Sequence, residues 1–196
     1  MGRKRLTDEE RERFRTRLLD VALELFAKAG FEAVSIRSLA DQLGCSAMTP
    51  YRYFDDKAAI FDACRARAFE AFAEAQEATA AKHTDPRNRV RALGQAYANF
   101  ADRRPNEFRL MFELEQPAEP SEDLGLAERR AFATIRNAVS ESVEAGYMRG
   151  DALTLAHMLW ATLHGLVALD LNGKLVHGRA KRTLLKAFFD GIFSTV

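Results

Sequence analysis

The chain has 196 residues, 47% of them hydrophobic, which is enough to bury a sizeable core in one large domain or two small ones. Lys and Arg total 29 against 28 Asp and Glu, a formal net charge of +1, so the chain as a whole is no polycation and any nucleic-acid contact has to come from a local patch. The two cysteines, Cys45 and Cys64, fit a reducing cytoplasm better than a disulfide scaffold, and no Cys/His spacing suits zinc.

The opening MGRKRLTDEERERFR is charged without an apolar centre, so it does not read as a signal peptide, and Leu6 breaks the myristoylation pattern. Arg3, Lys4 and Arg5 form a short basic arm, either a phosphate-binding device or a solvated start. Thr7 with Glu10 makes a capping box for a helix ending near Gly30, and Ser35 caps a short helix that stops at Gly44. Ser46 caps a further helix with Pro50 in its first turn; Thr49 as cap with Pro50 first is the alternative, but it leaves a helix too short to be useful.

Asp55 or Asp56 starts a long helix reaching about Ala81, and Asp85-Pro86 is a good start signal for the next. Arg104-Pro105 begins another, which fades in EQPAEPSEDLG, residues 115–125, expected to be a mobile loop. Ser121 or a neighbour starts a helix ending at Gly146, Asp151 one ending at Gly173, and Gly178 precedes the last. The pattern predicts an all-α chain of about nine helices, with no period-2 strand and no hairpin turn. Short helices with tight turns give way to long apolar ones near residue 58, which suggests a unit over 1–58 and a helical bundle over 59–196.

SIRSLADQLGCSAMTPYRYF, residues 35–54, has the layout of a helix-turn-helix: Ala40 where two helices cross, Gly44 at the turn, and Ile36, Leu39, Leu43, Cys45, Pro50 and Tyr53 or Phe54 facing inward. Leu18, Leu19, Ala22, Leu25 and Phe26 of the preceding helix would supply a third wall. Ala47, Met48, Thr49, Tyr51 and Arg52 then face outward. Small and apolar groups suit thymine methyls, Arg52 suits guanine or phosphate, and a tyrosine hydroxyl suits phosphate. Lys57 adds a phosphate partner at the next helix start. Tyr53 reads equally as a core aromatic or a phosphate contact, Phe54 as core, and Cys45 as a small hydrophobe.

These residues resemble the DNA-binding domain of the tetracycline-repressor (TetR) family. The family's pattern stands here as GCS…YRYFDDK, with Gly44, Cys45, Ser46, Tyr51, Tyr53, Phe54 and Lys57, and the upstream ALELFAKAGFEAVSIRSLADQLG matches in kind. The resemblance implies that Tyr51, Tyr53 and Lys57 hold phosphates, that Ala47, Met48 and Thr49 face bases, and that Ser35 and Arg37 touch backbone or bases. Most members carry a small residue where Met48 stands and Leu, Ile or Val where Pro50 stands. Residues from about 60 onward resemble a TetR subgroup with a Trp…His-Gly signature, here WATLHG with Trp160, His164 and Gly165, together with RLMFE over 109–113.

The stretch 152–171 is long enough to span a bilayer, but His157, His164 and Asp170 favour a helix buried in protein. It is apolar nearly all round and should be covered on two sides. Gly165, Leu166 and Leu169 there, with Leu184, Leu185, Phe188, Phe189 and Ile192 of the last helix, are expected to form a four-helix homodimer interface. Two identical heads would suit a palindromic operator. The other side could line a small-molecule pocket, with Phe69, Tyr97, Phe100, Phe108, Met111, Phe112, Phe132, Ile135, Trp160 and His164 as candidates, or these could be an ordinary filled core. His157 and His164 lack a third metal donor.

The expected function is a cytoplasmic, homodimeric transcriptional regulator, a repressor, released from double-stranded operator DNA by an unknown small-molecule effector, with no cofactor, metal or membrane partner. A helical adaptor binding protein through its head is the alternative. A helical enzyme is a third reading, but no nucleophile elbow, phosphate loop or HExxH pattern is present.

Overall fold

The computed structural model describes residues 7–112, 114 and 119–194, and the basic arm Arg3, Lys4, Arg5 lies outside them. Among the described residues there are eight α-helices, one 3-10 turn and no strand. The helices are α1 (Asp8–Ala29), α2 (Ile36–Leu43), α3 (Lys57–Ala80), α4 (Pro86–Arg103), α5 (Pro105–Phe112), α6 (Glu122–Glu144), α7 (Ala152–Leu171) and α8 (Lys181–Ser194). Most of the expected caps are in place. Thr7 and Glu10 exchange hydrogen bonds at 3.1 and 2.8 Å, Ser35 receives Ser38 N, and Asp56, Asp85 and Asp151 each receive the amide three residues on.

The difference from expectation is the stretch after Gly44, which forms a 3-10 turn over Pro50–Arg52 and not an α-helix from Ser46. Pro50 has no N–H to give the Ser46 carbonyl, so Thr49 N takes that acceptor at 2.8 Å. The same three-residue spacing continues from Arg52 N to Thr49 O at 3.1 Å and from Tyr53 N to Pro50 O at 2.9 Å. Gly44 stands at φ 66°, ψ 37°, the left-handed cap that redirects the chain out of α2.

Two compact units emerge, Met1–Ala68 with Asn106–Leu126, and Phe69–Pro105 with Ala127–Val196. In the first, Leu18, Leu19, Ala22 and Phe26 of α1 meet Leu39 and Leu43 of α2 and Ile60, Phe61 and Cys64 of α3. Ile36, Cys45 and Phe54 pack at the margin of that core, and Pro50 is buried. The expected division at residues 58 and 59 follows the chain, whereas packing joins α5 to this unit. Leu110 lies in the same core, and Arg109 Nη1 donates to the Ala27 carbonyl at 2.7 Å.

In the second unit α4 packs on α7 and α8, and α7 on α8. Gly94 is the close approach: Phe189 lies where a Cβ would stand. Lys181 of α8 pairs with Asp102 of α4 and Asp170 of α7, Arg91 of α4 pairs with Asp190, and Arg130 of α6 grips Glu77 of α3 through two hydrogen bonds of 2.7 and 2.8 Å.

Within the chain α7 is covered along one stripe, Ala156, Leu159, Leu163 and Val167, rather than on two sides. Met158, Ala161, Thr162, Gly165 and Leu169, spaced to share one face, are exposed. By length and composition α7 would also pass as a membrane span.

Candidate nucleic-acid interface and bundle site

Ala47, Met48, Tyr51 and Arg52 are exposed and Thr49 half-buried, while Pro50 between them is buried. Met48 stands out at 69% exposure. A proline pin inside the 3-10 turn therefore holds a short ridge toward solvent. Arg17 Nη2 fixes the turn before it by donating to the Leu43 carbonyl at 2.5 Å. Ser35 and Arg37, at the start of α2, are exposed.

Tyr53 and Lys57 are placed differently from the outward group. The Tyr53 ring stacks on Phe14 at 4.9 Å, and Phe54 lies under the Arg15 guanidinium at 5.4 Å. Lys57 is half-buried, and its ammonium donates to the Phe31 carbonyl at 2.9 Å. Lys57 thus ties the start of α3 to the segment between α1 and α2, a structural contact beside the phosphate role that the sequence offered it.

Cys64 is buried, with Sγ 3.5 Å from the Leu19 carbonyl, and burial pushes its thiol up to about 12. A groove of about 480 Å³ runs along α1, lined by Glu9, Glu12, Arg13, Thr16, Arg17 and Asp20. Its six polar side chains from one helix make it an open surface groove, unlike an apolar ligand site.

The proposed pocket residues divide between the units. Phe108, Met111 and Phe112 belong to the first, and the other seven to the second. In the second, Phe72 of α3 meets Tyr97 edge-on at 5.4 Å and Phe100 at 5.1 Å. Tyr97 Oη lies 3.0 Å from His164 Nδ1 and is also hydrogen-bonded to Trp160. An indole nitrogen only donates. The arrangement using every group therefore runs from Trp160 N–H to Tyr97 Oη, and from the Tyr97 proton to His164 Nδ1. Burial pushes the Tyr97 phenol well above its ordinary range. Trp160 also meets Phe132 at 5.9 Å, so Tyr97, Phe100, Phe132, Trp160 and His164 form one connected set.

Phe72, the hub of that set, was absent from the sequence candidates, although it follows Phe69 by three residues on one helix face. His157 is exposed, and its Nδ1 donates to the Leu153 carbonyl of its own helix at 2.9 Å.

The residues expected between chains also divide. Leu185 and Phe189 are buried inside the chain, Phe189 against Gly94, because α8 must fill the groove that the glycine leaves on α4. Leu166, Leu184, Phe188 and Ile192 are half-buried, and Gly165 and Leu169 exposed. Gly165 has no neighbour within 4 Å of where a Cβ would stand, so inside the chain it makes no close approach.

Two family models match the chain. "Bacterial regulatory proteins, tetR family" covers residues 18–64, and "Tetracyclin repressor-like, C-terminal domain" covers residues 90–192. The HTH-type transcriptional activator FasR of Mycolicibacterium smegmatis is 29% identical over 173 residues, 87% of this chain and 75% of FasR. The HTH-type transcriptional repressor KstR of Rhodococcus jostii is 36% identical over 70 residues, 36% of this chain and 33% of KstR. The structure of the transcriptional regulator FadR from Bacillus subtilis in complex with stearoyl-CoA superposes with a TM-score of 0.75, covering 92% of this chain and 98% of that one; at 16% identity this shows the shared fold.

Proposed function

The chain belongs to the TetR family of bacterial transcriptional regulators, and we propose that it is a cytoplasmic homodimeric repressor that reads a palindromic operator and is released by a small-molecule effector. The observation that carries this is the solvent-facing ridge Ala47, Met48, Thr49, Tyr51 and Arg52 on a proline-pinned turn. Ala47, Met48 and Thr49 read base edges, Tyr51 and Arg52 meet phosphate or guanine, and Ser35 and Arg37 contact the backbone.

Two copies pair through the exposed stripe of α7, with Gly165 and Leu169 at its centre and Leu166, Leu184, Phe188 and Ile192 alongside. Pairing sets the two ridges about 34–36 Å apart, one turn of B-form DNA. The effector has an apolar body, in keeping with the aromatic set around Tyr97, and the stearoyl-CoA complex of FadR fits such an effector. It releases DNA only as far as it prefers the conformer whose heads no longer match the groove spacing. Binding near a promoter then blocks transcription until the effector arrives.

Footprinting on DNA upstream of the chain's own gene, with a salt titration, tests the reading. The expected result is a protected inverted repeat whose affinity falls steeply with salt. Protection without two-fold symmetry, or affinity indifferent to salt, overturns it. Activation is a second reading with its own support: FasR, an activator, aligns over most of the chain, whereas KstR aligns over 36% of it. In vitro transcription from the footprinted promoter separates the two by its sign.

A further inference from the structure

The inner face of α3 in the second unit presents Phe69, Phe72, Ala73 and Gln76, spaced to share one side of the helix and all buried. Three are apolar and the fourth is an amide, 5% exposed. The Gln76 Oε1 atom is shielded from solvent and has no hydrogen-bond partner. A leucine would fill the same space without an unsatisfied acceptor, so packing alone does not call for glutamine here. Phe72, one turn before Gln76, is the hub joining Phe100 and Tyr97, and through Tyr97 joins Trp160 and His164. Tyr97 already bonds both Trp160 and His164.

We propose that Gln76 is the polar contact of the effector site in the bundle, accepting at Oε1 a hydrogen bond from a hydroxyl or amide N–H on an uncharged, otherwise apolar ligand. This rests on the bundle being the effector domain, as argued above. An amide oxygen accepts and never donates, so the ligand has to bring the proton. The ligand's buried part is uncharged because no buried side chain there would compensate a charge; the Arg104 guanidinium lies 5.8 Å from the Phe100 ring centre, but Arg104 is exposed. Among the described residues the buried polar side chains besides the Tyr97 phenol are Arg65, Gln76 and Ser142, and Arg65 belongs to the first unit. The half-buried cations Arg89, Arg91 and Lys181 are each paired with a carboxylate. A carboxylate entering the aromatic set would lose its water without gaining a buried countercharge.

Trp160 is the chain's sole tryptophan and bonds Tyr97 directly, so its fluorescence reports occupancy. The full-length protein is titrated with 1-decanol, decyl methyl ether and decanoate, three probes of one chain length that differ in donor and charge. The alcohol is expected to bind about tenfold more tightly than the ether, with decanoate weakest. Gln76→Leu should erase the alcohol's advantage and leave the ether unchanged. The same variant, relieved of an unsatisfied buried acceptor, should melt about 2–4 °C higher without ligand.

Decanoate binding tightest, a Gln76→Leu protein that still prefers the alcohol or melts lower, or no probe perturbing Trp160 would each overturn the proposal. Operator affinity of the wild-type protein is measured in the same samples. If DNA binds while the Gln76 result fails, the polar contact alone falls; if DNA does not bind, the regulator reading falls with it.

Discussion

Lys57 Nζ donates to the Phe31 carbonyl at 2.9 Å and lies 4.0 Å from the centre of the same residue's ring. One ammonium thus serves as hydrogen-bond donor and as cation over an aromatic face. Phe31 in turn stacks on Phe26 and meets Phe61, both fully buried, so the contact anchors the segment between α1 and α2 to the head's core. Lys57→Met keeps the apolar stem and removes the charge. It should destabilise the DNA-free protein by about 1–3 kcal/mol, read as a lower urea midpoint. A lysine serving only as a phosphate contact would leave the DNA-free midpoint unchanged and weaken operator binding alone.

Gly94 on α4 leaves room for Phe189 of α8. A Cβ at Gly94 would collide with Phe189 Cζ and stand 2.6 Å from Cε2, far inside contact distance. Phe189 is itself 4% exposed and has nowhere open to swing. Gly94→Ala gains helix propensity of about 1 kcal/mol, yet the clash should outweigh it and leave the variant about 1–3 kcal/mol less stable than wild type. Thermal unfolding measures the sign: a higher melting temperature would mean that α8 shifts freely and that the glycine is not holding the helices together.

Capping and periodicity carried most of the architecture, because Thr7, Ser35, Asp85 and Asp151 announce helix starts by local chemistry that tertiary packing did not override. The outward ridge was legible for a similar reason: Gly44 sets the turn, and the buried Pro50 leaves its neighbours facing out. Lys57 and Gly94 were not legible as contacts. Each acquires its role from a residue tens of positions away, Phe31 or Phe189, and no local spacing encodes that pairing. Gln76 was not legible inside FEAFAEAQ because one amide on a face of phenylalanines leaves the helical periodicity unchanged. On sequence grounds a helix starting at Pro50 is too short to be useful, and the missing N–H of Pro50 made that start a 3-10 turn.

Cys64 gives the head a measurable alkaline limit. A thiol ordinarily ionises near 9.0, and burial pushes this one to about 12 in the folded chain. As pH rises past 9 the unfolded chain loses the proton while the folded chain keeps it. The stabilisation is therefore complete below pH 9 and is lost progressively up to 12, to a total of about 4 kcal/mol. Tyr97, whose phenol burial also pushes up, adds a loss of the same sign that begins above its ordinary value of 10.0. Urea midpoints of wild type should fall between pH 9 and 10, while those of Cys64→Ala should fall less. Parallel slopes for the two proteins would remove the thiol from the account.

Met158 tests the pairing of two copies with the least disturbance to one. It is 61% exposed on the α7 stripe that also carries Gly165 and Leu169, so a change there touches little inside the chain. Met158→Glu should leave the melting of the isolated chain within about 0.5 kcal/mol of wild type, as for an ordinary surface substitution. Between two copies the same carboxylate would face its own symmetry mate across apolar surface, since a two-fold interface presents one patch to itself. Sedimentation velocity should then show a species of half the wild-type mass, and operator affinity should collapse because one ridge alone holds one half-site. If the variant sediments like wild type, the α7 stripe is not where the copies meet. If it becomes monomeric yet still binds the full operator as tightly, pairing does not set the spacing of the heads.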